Sequence, residues 1–110
     1  MTYKEISDML KTVGIPTAYN HFTDKTATEP PFLVFFYDGI ADVYADNANY
    51  QRIVTLNVEL YTDNKDFALE TAVETALTAN ALTYTKEESY IDSERMYHIA
   101  YVSEVFITNG

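Results

Sequence analysis

The chain has 110 residues, 47% of them hydrophobic, enough for one core that buries roughly two-thirds of the unfolded surface and too apolar for a disordered tail. Seventeen acids against seven bases leave a formal charge of −10, which argues against nucleic-acid binding through a basic patch and against anionic membrane surfaces. There is no cysteine, so a disulfide framework, a thiolate metal site and a cysteine nucleophile are excluded together, in keeping with a reducing, intracellular compartment.

The first residues, Met-Thr-Tyr-Lys-Glu, contain no apolar stretch of the kind a signal peptide needs. Thr2 followed by Glu5 reads as a capping box, which pairs two otherwise unsatisfied backbone donors at a helix start. Ile6, Met9, Leu10 and Val13 then share one helical face, while Lys4, Asp8 and Lys11 fall on the wet side. Gly14 suits a left-handed helix end, and Pro16 forbids continuation. Thr17–Tyr19 reads as a short strand and 20–31 as a loop ending in Pro30-Pro31. Phe32–Tyr37 is the longest apolar run, far too short to cross a bilayer; bounded by Asp38-Gly39, it reads as a strand covered on both faces.

Residues 40–50 hold three Asn or Asp between positions 46 and 49 and read as an exposed connection, longer than a tight hairpin needs. In the strand predicted over 52–61, Val54, Leu56, Val58 and Leu60 alternate with Thr55, Asn57, Glu59 and Tyr61; the first set belongs to the core, the second to solvent or an interface. Thr62, Asp63 and Asn64 offer N-caps for a second helix over about 64–79, with Leu69, Val73, Ala76 and Leu77 as its apolar stripe. Asp66, Glu70 and Glu74 follow one another at four-residue spacing on another face, where like charges oppose one another; the helix dipole offsets this at Asp66 but not at Glu74. Strands are predicted at Leu82–Tyr90 and about Arg95–Ile107, joined by a turn around Asp92-Ser93. The last carries apolar residues on both faces, as a central strand does, and Glu104 fits it only near an edge or with a partner. This order predicts one domain, 1–110, of α+β class: a mostly antiparallel or mixed sheet of four to five strands with two helices on one face.

No catalytic, cofactor or metal constellation emerges. His21 reads as a surface residue and His98 as part of a half-buried strand face, with no nucleophile, base and orienting group beside either in the sequence. Asp38, Asp42 and Asp46 fail the calcium-loop pattern, because the sixth position holds Val43 or Asn47 instead of glycine. Glu87, Glu88 and Glu94 read as a charged hairpin. With only three glycines, a phosphate cradle built from glycine is nearly excluded.

Several segments together resemble the tail-terminator (tail-completion, head–tail joining) proteins of long-tailed phages and prophages of Gram-positive bacteria. They are 14–21 (GIPTAYNH), 30–39 (PPFLVFFYDG), 45–47 with Tyr50, 58–63 (VELYTD) with Lys65-Asp66, and 90–94 (YIDSE) with Met96-Tyr97, and they span almost the whole chain. The resemblance implies a compact sheet packed by two helices and a self-associated ring, commonly six-fold, seated on the last ring of tail-tube protein. It also implies a face for the head connector, a lumen through which DNA passes, and no enzymatic activity or cofactor. The protein would sit in the host cytoplasm during assembly and then in the virion, at the tail–head junction.

A ring interface joins two different patches, and surplus tyrosine suits such patches. Candidate lumen or interface residues are Asp42, Tyr44, Asp46, Tyr50, Asn57, Glu59 and Tyr61, with Asp42 and Asp46 as acidic lumen residues that repel phosphates. The alternative is an acidic decoy that mimics DNA and captures a basic DNA-binding protein or nuclease; it would need acids spaced like phosphates along one surface.

Overall fold

The computed structural model describes residues 1–21, 29–44 and 50–108. Helix α1 spans Tyr3–Lys11, strand β1 Thr17–Tyr19, β2 Phe32–Tyr44, β3 Tyr50–Thr62, helix α2 Phe67–Ala79, β4 Thr85–Ile91 and β5 Met96–Ile107. The five strands form one mixed sheet in the order β1-β2-β3-β5-β4. β1 runs parallel to β2, and every other neighbour pair is antiparallel. The α+β class with two helices on one sheet face is the one expected.

Local chemistry sets the elements. Thr2 Oγ1 accepts from the Glu5 amide at 3.1 Å while Glu5 Oε1 accepts from the Thr2 amide at 2.8 Å, so the capping box forms in both directions. Beyond the helix, Gly14 adopts φ +89°, a conformation other residues rarely take. α2 starts later than expected: Asp66, not Thr62, Asp63 or Asn64, is its cap, accepting from the Leu69 amide at 3.0 Å. β4 begins at Thr85, three residues after the predicted start.

The core lies between the helices and one face of the sheet. Ile6, Met9 and Leu10 of α1 and Val73, Ala76 and Leu77 of α2 meet Leu33 and Phe35, Val54 through Leu60 at every second position, and Ile99, Tyr101 and Val105. β5 stands between β3 and β4, which explains its apolar residues on both faces. Glu104 lies past the end of β4, whose last partner is Val102, and is exposed there.

The outer face of Phe32–Tyr37 is not covered as expected, Phe32 and Phe36 being only half-buried there, and two further expectations are corrected. The stretch 40–50 is not mainly a connection: β2 continues to Tyr44 and β3 begins at Tyr50, with Ile40 opposite Val54, Asp42 opposite Arg52 and Tyr44 opposite Tyr50. A bulge between Asp38 and Ile40 breaks the period-two pattern that would have marked the longer strand. At the bulge Gly39 has φ +61°, and a Cβ there would stand 3.2 Å from Thr55 Oγ1. Gly39→Ala should therefore cost about 1–2 kcal/mol, read as a lower urea midpoint with an unchanged slope. An unaltered midpoint would show that the bulge tolerates a side chain.

The acidic stripe of α2 is the second correction, since Glu70 and Glu74 are not opposed charges in solvent. Glu70 is only 3% exposed, with Lys65 Nζ at 2.6 Å from one carboxylate oxygen and Lys86 Nζ at 2.9 Å from the other. Lys86 also meets Glu74 at 2.7 Å, Glu74 accepts from the buried Tyr101 hydroxyl at 2.8 Å, and Lys65 pairs with Glu88 of β4. Burial pushes both carboxyls up, but the hydrogen bonds from lysine (and from Tyr101 at Glu74) outweigh it and hold both below the usual range.

Candidate interaction surface

The sheet face away from the helices has no second layer among the described residues. Its side chains form cross-strand rows, the first three drawn from β2, β3, β5 and β4 in turn. Phe32, Tyr61, His98 and Ser89 make the first; Val34, Glu59, Ala100 and Glu87 the second; Phe36, Asn57, Val102 and Thr85 the third. The fourth, beyond the end of β4, is Asp38, Thr55 and Glu104. Phe106 lies one row further, opposite Ile53, and is 54% exposed.

The first row is a stack. The Phe32 and Tyr61 rings lie 4.9 Å apart at 21°, and those of Tyr61 and His98 4.9 Å apart at 27°. Tyr61 donates its hydroxyl to Glu59 Oε1 at 3.0 Å, and burial, followed by the charge of Glu59, pushes that hydroxyl up to about 12. Glu59 Oε2 stands 3.3 Å from His98 Nε2 without hydrogen-bond geometry, and Ser89 Oγ lies 3.2 Å from His98 Nδ1. Ser89, His98 and Glu59 thus meet across three strands, a proximity invisible to sequence spacing. The polar groups here clamp the Tyr61 and His98 rings between their neighbours.

Asn57, in the third row, keeps its Nδ2 buried with no hydrogen-bond partner among the described residues. Such a donor costs about 1–3 kcal/mol until something accepts from it. Asn57, Glu59 and Tyr61 therefore share one half-buried face, as alternation predicted. Asp42, Tyr44 and Tyr50 take strand positions with side chains outside the described residues, and Asp46 lies outside them entirely. Asp38, Glu59, Glu87 and Glu104 give this face four carboxylates, and no lysine or arginine stands in its four rows.

A second surface lies on the helix side, at the β1 edge. Tyr3 and Ser7 of α1, Tyr19 of β1, and Phe35 and Tyr37 of β2 line an open cleft of about 430 Å³. Its rings meet mostly edge to face, Tyr3 with Tyr37 at 5.1 Å and Tyr19 with Phe35 at 5.4 Å. The Tyr37 hydroxyl is buried with no hydrogen-bond partner among the described residues; burial, then Tyr19 and Tyr3, push it up to about 12. Sequence reading missed this cleft, because its lining comes from three elements that the parallel pairing of β1 with β2 brings together. The one available signal was tyrosine abundance.

Among the described residues no group of three or more histidine, aspartate or glutamate side chains is arranged to hold a metal ion. Among the described residues no helix is long and apolar enough to cross a membrane.

No protein-family model matches the chain, and no curated protein matches it in sequence. Among solved structures, a chain of the virion of a native gene transfer agent particle is similar in fold, with a TM-score of 0.63 and 14% identity. The correspondence covers 97% of this chain and 91% of that one. The two share a fold over nearly their whole lengths.

Proposed function

We propose that this chain is a structural protein of a virion, a tail terminator whose copies close into a ring on the end of the tail tube and offer another face to the head connector. The observation that carries the reading is the near full-length fold correspondence with a chain of a virion particle. The surface supports it. A ring subunit needs unlike surfaces for its neighbours and for the tube or connector, and the open sheet face and the aromatic cleft are unlike in chemistry and lie on opposite sides of the sheet. On this reading the work is assembly and not catalysis, and the protein moves from the host cytoplasm into the tail–head junction.

The charge of −10 suits a lumen that DNA slides through without sticking. Asp42 and Asp46 are the proposed lumen acids, with Tyr44 and Tyr50 beside them in sequence. Replacing both acids by asparagine should leave particles assembled and slow genome ejection; normal infection by the double variant would remove them from the lumen.

The test of the role is localisation and loss of function. Gold-labelled antibody against the chain should mark the junction of head and tail in purified particles, and deleting its gene should give overlong, headless tubes. Label elsewhere on the particle would refute the terminator role, and a virion without the chain would refute a structural one. The acidic decoy fits less well, since Glu70, Glu74 and Glu88 are committed to Lys65 and Lys86 within the fold.

A further inference from the structure

Phe67, the first residue of α2, is 70% exposed, the most exposed of the large hydrophobic side chains among the described residues. It is held outward: Lys65 Nζ lies 4.8 Å over the ring while its ammonium is tied to Glu70 and to Glu88 of β4. A ring fixed by a cation that is itself anchored loses little freedom on docking. This knob belongs to the β4 side of the helix layer, and the aromatic cleft belongs to the β1 side; in the order β1-β2-β3-β5-β4 these are opposite edges.

We propose that the cleft of Tyr3, Ser7, Tyr19, Phe35 and Tyr37 receives Phe67 of a second copy of this chain, so that copies join head to tail. The cleft has room for a phenyl ring and presents the ring faces and edges that an aromatic side chain packs against. The polar groups match as well. The receiving side offers donors: the buried, unpartnered Tyr37 hydroxyl, the hydroxyls of Tyr3 and Tyr19, and exposed Lys4 next to Tyr3, which keeps further N–H donors beside its pair with Asp8 at 2.7 Å. The entering side brings acceptors, because Asp63 and Asp66 precede Phe67, with one Asp66 oxygen capping the helix, in a chain where acids outnumber bases by ten.

A knob on one edge and a hole on the other make a heterologous contact, which closes into a ring when the rotation permits. One aromatic side chain buries about 150–250 Å², well short of a stable interface. Each contact is therefore weak alone and gains from ring closure, where every copy is held on both sides. The inference deepens the ring reading by naming the two patches, and its test does not use the tail.

Because the chain has no cysteine, thiols can be placed singly. Ser7→Cys puts one in the cleft, and Ala68→Cys puts one beside the knob with Phe67 intact. Mixed at micromolar concentration under mild oxidation, the two variants should form a covalent heterodimer on the order of a hundredfold faster than a control pair of Ser7→Cys and Glu87→Cys, since docking raises the effective thiol concentration. Neither variant alone should dimerise above the control rate, the doubly substituted chain should give a ladder of covalent oligomers, and adding Phe67→Ser to Ala68→Cys should bring trapping to the control rate. Tyr19→Cys, at another exposed point of the cleft, checks that failure is not a misfolded Ser7 variant. Trapping no faster than the control from both cleft positions, or trapping indifferent to Phe67→Ser, overturns the proposal. Trapping by a chain that is absent from the head–tail junction would keep the interface and remove the terminator role; a chain found there that does not trap would do the reverse.

Discussion

Glu70→Ala should destabilise the fold by about 3 kcal/mol, the low end of what breaking a buried ion pair costs. It is at the low end because Lys86 keeps partial contact with water and both lysines retain a second carboxylate, Glu88 for Lys65 and Glu74 for Lys86. The loss comes mainly from leaving two ammonium groups without the carboxylate that spans them. The pH dependence follows from the direction of the shifts. Glu70 and Glu74 are held below their ordinary value of 4.5, so their contribution is fully present above that pH and disappears as the pH falls through the folded values. Lys86 is raised above 10.5, first by its bond to Glu74 and then by that to Glu70, so its contribution is full below 10.5 and is lost as the pH rises through the folded value. Urea midpoints of the native chain should therefore form a plateau between about pH 5 and 10, and the acid limb of Glu70→Ala should be shallower. An acid limb of equal slope in both proteins would assign acid sensitivity to other carboxylates.

Tyr101→Ala should cost about 3–5 kcal/mol, the range for truncating a large buried aromatic. Tyr101 is 1% exposed, packs edge to face on Tyr84 at 5.4 Å and donates to Glu74. Tyr101→Phe separates packing from hydrogen bonding and should cost about 1–2 kcal/mol, read from the same urea titrations. Because Tyr101 and Glu70 are linked through Glu74 and Lys86, the double variant should depart from additivity by about 0.5 kcal/mol or more. Strict additivity would mean that the network is a set of separate pairs.

These expectations mark where the sequence could be read and where it could not. The α1 cap was legible because Thr2 and Glu5 are three residues apart and act on each other's backbone. The faces of β3 were legible because alternation over Val54–Leu60 is unbroken, which also put Asn57, Glu59 and Tyr61 together. The second half of β2 was not, since its bulge shifts the pattern at the point where aspartates begin. Glu70 and Glu74 were misread because their partner Lys86 lies on β4, twelve and more positions away, and only the pairing of β4 with β5 brings it under α2. The Phe32–Tyr61–His98–Ser89 row needs the register of three strand pairs, none of which a single segment encodes.

The bulge at Gly39 also sets a parity. Before it, the odd-numbered residues Leu33, Phe35 and Tyr37 oppose the core positions Leu60, Val58 and Leu56; after it, the even-numbered Ile40, Asp42 and Tyr44 take the register of Val54, Arg52 and Tyr50. One extra residue therefore shifts the parity of the backbone register in the distal half of the hairpin. Related chains that differ in hairpin length should change it by two residues at a time or carry a compensating second bulge, because a change by one reverses the register parity of everything beyond it.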